Sequence, residues 1–152
     1  MQRLLACLVV ATGLPWQLVH AGGPAPAICL GSAASTARAT VTTRRFTLAW
    51  THSIEKILWE EDYQVENGQL RLVVARVRGS GAGMEPPEGS VLRNGAYEYQ
   101  PAQSMFPSLR LTRSTFTRDY ELCWDGQCRD FGALLGKPAQ GEVVELYPCA
   151  SR

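Results

Sequence analysis

Residues 58–77, LWEEDYQVENGQLRLVVARV, hold an Asn67-Gly68 pair between two runs rich in valine, leucine and aromatic side chains. Asn-Gly tolerates the two positive φ angles of a tight hairpin turn, so the segment from Ile57 to Arg78 is expected to form two antiparallel strands. Counting outward from the turn predicts that Val65 faces Leu70, Tyr63 faces Leu72, Glu61 faces Val74 and Trp59 faces Arg76. Upstream, Phe46, Leu48 and Trp50 alternate with Thr47, Ala49 and Thr51, the period of a half-buried strand. That strand carries His52 on the Phe46 face.

Downstream, RGSGAGMEPPEG at 78–89 is too rich in glycine and proline for a helix or a central strand. Short strand-like runs surround it: Ile28 to Leu30, then Ala96 to Tyr99, Ser108 to Ser114, Asp119 to Trp124, Gln127 to Phe131 and Glu142 to Tyr147. Only Asp130 to Leu135 reads as a helical turn, stopped by Gly136. The expected fold class is all-β, a single-domain antiparallel sandwich or small barrel of about eight short strands, with disulfides.

The opening MQRLLACLVVATGLPWQLVHA pairs Arg3 with an apolar run from Leu4 to Leu14 and small residues, Val19 and Ala21, at cleavage positions. Residues 1–21 are therefore expected to be a signal peptide and residues 22–152 one β domain. The apolar run is shorter than the roughly 20 residues a membrane span needs, so no span is expected after cleavage. The expected location is periplasmic. Without Arg3 the 15 basic residues fall to 14 and equal the 14 acidic ones, with no block of like charge. Nucleic acid is therefore not an expected partner.

Cys29, Cys123, Cys128 and Cys149 lie beyond the leader. An even number in an exported chain implies two disulfides. In CWDGQC at 123–128, Asp-Gly is a two-residue turn that sets Cys123 opposite Cys128 in a non-hydrogen-bonded pair. Cys29 is then left for Cys149.

Chemistry is sparse. His52 is the sole histidine beyond residue 21. Ser53-Ile54-Glu55-Lys56 matches S-x-x-K, but that motif requires a helix start and here continues a strand. His52 and Ser53 point to opposite sides, so a nucleophile for His52 would come from elsewhere, such as Ser80 or Ser114. One histidine and oxidised cysteines do not make a zinc site, and the consecutive Glu60, Glu61 and Asp62 read as a solvated strand face paired with arginines across the hairpin. No metal or other cofactor is implied. The glycine loop lacks a nucleotide motif, yet its backbone N–H groups suit a carboxylate held together with arginine. The candidate ligand-binding residues are His52, Glu55, Arg76, Arg78, Gly79, Ser80 and Gly81, forming the rim of a binding site with no expected catalytic residue. The expected ligand is a small carboxylate solute or an acidic side chain of a partner protein.

WTHSIEK with WEEDY, then ARVRGSGAGMEPP, then LCWDGQCR together resemble an exported bacterial family known as domain of unknown function 1850. The likeness runs from about Ala27 to Cys149. It implies an accessory of TAXI-type TRAP transporters, which import solutes captured by an extracytoplasmic binding protein. The expected role is a non-catalytic periplasmic protein that contacts the transporter's membrane subunits or solute-binding protein, or senses solute. The alternative is a periplasmic hydrolase using His52 with Glu55 or a serine.

Overall fold

The computed structural model describes residues 25–31, 38–80 and 85–149; the expected signal peptide at 1–21 and Gly81 lie outside the described residues. In chain order the elements are β1 (Ala27–Gly31), β2 (Ala39–Thr42), β3 (Arg45–Thr51), β4 (Leu58–Glu66), β5 (Gln69–Val77), β6 (Val91–Arg93) and β7 (Ala96–Tyr99). They continue as β8 (Met105–Phe106), β9 (Leu109–Arg113), β10 (Glu121–Trp124), β11 (Gln127–Asp130), α1 (Phe131–Leu135) and β12 (Glu142–Pro148). Two antiparallel sheets result. The smaller has the order β2-β1-β12-β9; the larger runs β11-β10-β3-β4-β5-β7-β6, with β8 also paired to β5. This is the sandwich alternative, since neither sheet closes into a barrel. The strands number twelve where about eight were expected, because β2, β6 and β8 are pieces of only two to four residues.

Turn chemistry sets the larger sheet. Three two-residue hairpin turns have positive φ at both positions: Asn67-Gly68, Asn94-Gly95 and Asp125-Gly126. The last places Cys123 opposite Cys128 and Trp124 opposite Gln127, as the spacing predicts, and the Cys123–Cys128 and Cys29–Cys149 disulfides are both formed. Asp130 caps α1 by accepting from the Gly132 N–H at 2.8 Å, and Gly136 ends it.

The register of β4 with β5 departs from the sequence expectation beyond its first few pairs. Val65 does face Leu70 and Tyr63 does face Leu72, but Asp62 then faces Val74, so Val73 is an extra residue and the strand bulges. Glu61 consequently faces Ala75 and Trp59 faces Val77, instead of Val74 and Arg76. The reason is burial. The bulge keeps Ala75 and Val77 inside, at 0% and 1% exposure, and turns the Arg76 guanidinium to the outer face. Within the apolar run Leu72-Val73-Val74-Ala75 no polar residue marks the phase, so the slip leaves no trace in the sequence pattern.

The core lies between the sheets. Ile28, Leu30, Leu111, Val144 and Leu146 of the smaller sheet meet Phe46, Leu48, Leu70, Leu72 and Leu122 of the larger, with Phe131 of α1 closing one end. Phe46 stacks on Tyr63 at 5.3 Å. Each such side chain fully buried contributes about 1.5–3 kcal/mol against exposure.

Candidate functional site

The residues expected to form one rim are distributed over two faces. His52 follows β3 and closes a turn: its N–H donates to the Ile57 carbonyl at 2.9 Å, and its carbonyl accepts from the Lys56 N–H at 3.0 Å. Its Nδ1 accepts from the backbone N–H of Glu55 at 3.3 Å. Glu55 thus meets His52 through its backbone, and its side chain is exposed. Arg76 makes a two-pronged bond to Asp62, at 2.7 and 2.6 Å, on the outer face. Arg78 donates to Glu60 at 3.3 Å and to the Asn94 carbonyl at 3.1 Å. Gly79, at φ 154°, packs against Ile57, whose Cγ2 would lie 3.1 Å from an added Cβ. Ser80 is exposed beside it. His52 lines a cleft of about 370 Å³ with Thr51, Ser53, Ser114, Thr117 and Arg118; neither Arg76 nor Arg78 lines it.

The outer face is an internally neutralised ionic surface. Burial alone would raise the Asp62 carboxyl, but the bonds from Arg76 and Thr47 and the Arg76 charge together hold it below the usual carboxylate range. Arg71 pairs with Glu66 at 2.6 Å. A groove of about 610 Å³ lies here between the Cys123–Cys128 hairpin tip and the strands carrying Arg45, Asp62 and Arg71. Of its charged residues, Asp62 is already paired with Arg76 and Arg71 with Glu66. Among the described residues one group of potential metal ligands converges, Glu121 with Cys123 and Cys128; its sulfurs are joined in the disulfide, so neither is the thiolate that binds metal.

Glu61 behaves differently, and it corrects the reading of Glu60, Glu61 and Asp62 as one solvated face. Alternation sends Glu60 and Asp62 outward and Glu61 inward, in a row across the inner face formed by Leu122, Leu48, Glu61, Ala75 and Tyr99. Its carboxylate accepts from the Tyr63 hydroxyl at 2.5 Å and from the Trp59 indole at 3.3 Å. No arginine or lysine forms an ion pair with it among the described residues. Burial pushes the Glu61 carboxyl above the ordinary range despite those two bonds. Burial, with the Glu61 charge, pushes the Tyr63 and Tyr99 hydroxyls upward too.

Glu61 opens onto a cleft of about 380 Å³ between the sheets, walled by Leu48, Trp50, Tyr63, Phe106, Leu111 and Tyr120. Trp50 stacks on Trp59 at 5.6 Å and meets Tyr120 at 6.2 Å. Trp50 and Tyr120 also line the His52 cleft, so the two cavities meet at one aromatic wall. The walls of the Glu61 cleft mix aromatic and aliphatic side chains with Glu61, Ser108 and Arg110, and a volume near 380 Å³ is that of a small-molecule pocket.

A carboxyl raised by burial makes a signed stability prediction. The folded chain holds the Glu61 proton to higher pH than the unfolded chain, so Glu61 costs stability increasingly as pH rises from about 4.3 through its folded value. Below that window it costs nothing. Glu61→Gln, whose amide oxygen still accepts from Tyr63, is expected to stabilise the fold at pH 7 by about 0.5–2 kcal/mol, with the gain vanishing near pH 4. Urea unfolding across pH measures it; a variant less stable at pH 7 than at pH 4, relative to the parent, contradicts the assignment.

Residues 46–131 match the family model described as domain of unknown function (DUF1850), which spans β3 to the start of α1 and so supplies Trp50, His52, Glu61, Phe106 and Tyr120. No curated protein and no solved structure matches the chain.

Proposed function

We propose, from the fact that the chain belongs to the DUF1850 family, that it is an exported, non-catalytic binding protein whose ligand lies in the inter-sheet cleft at Glu61. One observation carries this reading: the Glu61 carboxylate lines an aromatic-walled cavity and, among the described residues, has hydrogen bonds only from Tyr63 and Trp59 and no ion pair. Natural sequences retain such rule-breaking residues chiefly at functional sites. The working context is the periplasm, with the protein acting as an accessory to a TAXI-type TRAP transporter. It contacts either the membrane subunits or the solute-binding protein. A small carboxylate at Arg76 and Arg78 would have to displace Asp62 and Glu60 from them, which makes the outer face the weaker candidate.

The hydrolase reading draws on a single arrangement, that His52 and Ser114 line one cleft. The His52 Nδ1 accepts from the Glu55 N–H at 3.3 Å. Ser114 Oγ accepts from the Phe116 N–H at 3.1 Å, and Asp119, the nearby acid, is bound to Arg113. Nucleophile, base and orienting acid are therefore not hydrogen-bonded in series, as acyl transfer requires.

Affinity purification from native membranes, with and without the transported solute, tests the proposal. Transporter components are expected to copurify in a solute-dependent manner, and Trp50→Ala is expected to abolish the solute dependence. A hydrolytic activity lost in both His52→Ala and Ser114→Ala would overturn the non-catalytic assignment.

A further inference from the structure

We propose that the Glu61 cleft binds an organic cation, a primary or quaternary ammonium with small apolar substituents, with Glu61 as its counter-ion and the rings of Trp50, Tyr63, Phe106 and Tyr120 as its walls. The inference rests on reading this cleft as the ligand site and goes further by fixing the ligand's charge.

Three features of the cavity agree on that charge. The first is that its one acid has only neutral partners: Trp59 and Tyr63 each donate one hydrogen bond to it, and a carboxylate has lone pairs to spare beyond those two. The second is the wall. Aromatic faces attract cations through their quadrupole, and Trp50, Tyr63, Phe106 and Tyr120 all line the cleft between the two sheets. Third, the basic residue at the cleft, Arg110, belongs to the exposed side of β9, 73% exposed and 4.0 Å from Glu145, so it does not neutralise Glu61. A carboxylate ligand would meet like charge here. A neutral ligand would leave the acid buried without a counter-ion. An ammonium supplies the missing charge, and its methyl or methylene groups fill the apolar remainder.

The probes are tetramethylammonium, n-butylammonium, n-butanol and butyrate, titrated into the full exported protein at pH 7 while the indole resonances of the tryptophans are followed by NMR. Both ammonium probes are expected to bind at least tenfold more tightly than n-butanol or butyrate. Glu61→Gln, which keeps an acceptor for Tyr63, is expected to weaken them at least tenfold and leave n-butanol unchanged. Phe106→Leu, which retains apolar bulk without the ring, is expected to weaken tetramethylammonium several-fold and leave n-butanol unchanged. If n-butanol or butyrate binds as well as n-butylammonium, and Trp50→Ala abolishes that binding, the cleft stands as a ligand site and the cation assignment falls. Unchanged ammonium binding in Glu61→Gln also overturns the cation assignment. If none of the four probes binds the parent protein, both readings fall together.

Discussion

Arg113→Ala is expected to lower the unfolding free energy by about 3–5 kcal/mol, the cost of removing one partner from a buried ion pair. The Arg113 side chain is fully buried, on the inner side of β9 in phase with Leu109 and Leu111. Its Nε reaches both oxygens of Asp119 at 3.0 and 3.1 Å; Nη1 donates to Glu142 at 2.9 Å, and Nη2 to the Gly136 carbonyl at 2.7 Å. One guanidinium thereby ties the 114–120 segment, the end of α1 and the start of β12 together. Alanine would leave the Asp119 and Glu142 carboxylates, 9% and 18% exposed, without that cation and would open a cavity as well. Arg113→Lys retains the charge without the planar fork and is expected to recover only part of the loss. Urea titration decides it, and a cost below about 1 kcal/mol for alanine would mean that other contacts hold these segments. Acid should find the same network: the bond from Arg38 and the charges of Arg113 and Arg38 hold the Glu142 carboxyl low, so its contribution is complete above about pH 4.3 and is lost as pH falls through the folded value.

Arg113 also explains why the candidate site was hard to read from the chain. Its parity with Leu109 and Leu111 in SLRLTRS places it on the inner face, just as the parity of Glu61 with Trp59, Tyr63 and Val65 places that carboxylate inside. Strict alternation therefore contained both facts. They were obscured because charge in a strand is ordinarily read as solvent-facing, a correct inference for Glu60, Asp62 and Arg110. Features governed by turn chemistry were legible in short stretches of chain: the Asn67-Gly68 and Asp125-Gly126 hairpins, the helical turn ended by Gly136 and the pairing of Cys123 with Cys128. Asn94-Gly95 is the same kind of turn, but it joins Val91–Arg93 to Ala96–Tyr99, runs too short to announce a hairpin. The bulge at Val73 and the approach of β9 and Tyr120 to the larger sheet depend on contacts distant in sequence. Those contacts build the cleft and turn Arg76 away from it, so the residues expected to bind a ligand, His52, Glu55, Arg76, Arg78, Gly79, Ser80 and Gly81, do not include the cleft's own Glu61, Phe106 and Tyr120.

Removing the Cys29–Cys149 bridge with a double alanine substitution is expected to cost about 5 kcal/mol, against about 2 kcal/mol for removing Cys123–Cys128, when both are treated as restraints on the unfolded chain. The difference arises from the loops they close, with sequence separations of 120 and 5. The long bridge also has the more consequential position. β1 lies between β2 and β12 in the smaller sheet, and the Cys149 N–H donates to the Ala27 carbonyl at 2.8 Å, so the disulfide fastens the first strand to the end of the last. Ile28 and Leu30, both fully buried, ride on that strand. Cys123–Cys128 staples a hairpin already set by its Asp-Gly turn and paired to β3, so less freedom remains for it to remove. Alanine is the appropriate replacement because Cys29 is buried, and a serine would add the cost of a buried hydroxyl to the result. Reversible urea unfolding of the two double variants gives the comparison directly. A loss from the hairpin pair equal to or greater than that from the long pair would show that these bridges act through the folded state and not through the entropy of the unfolded chain.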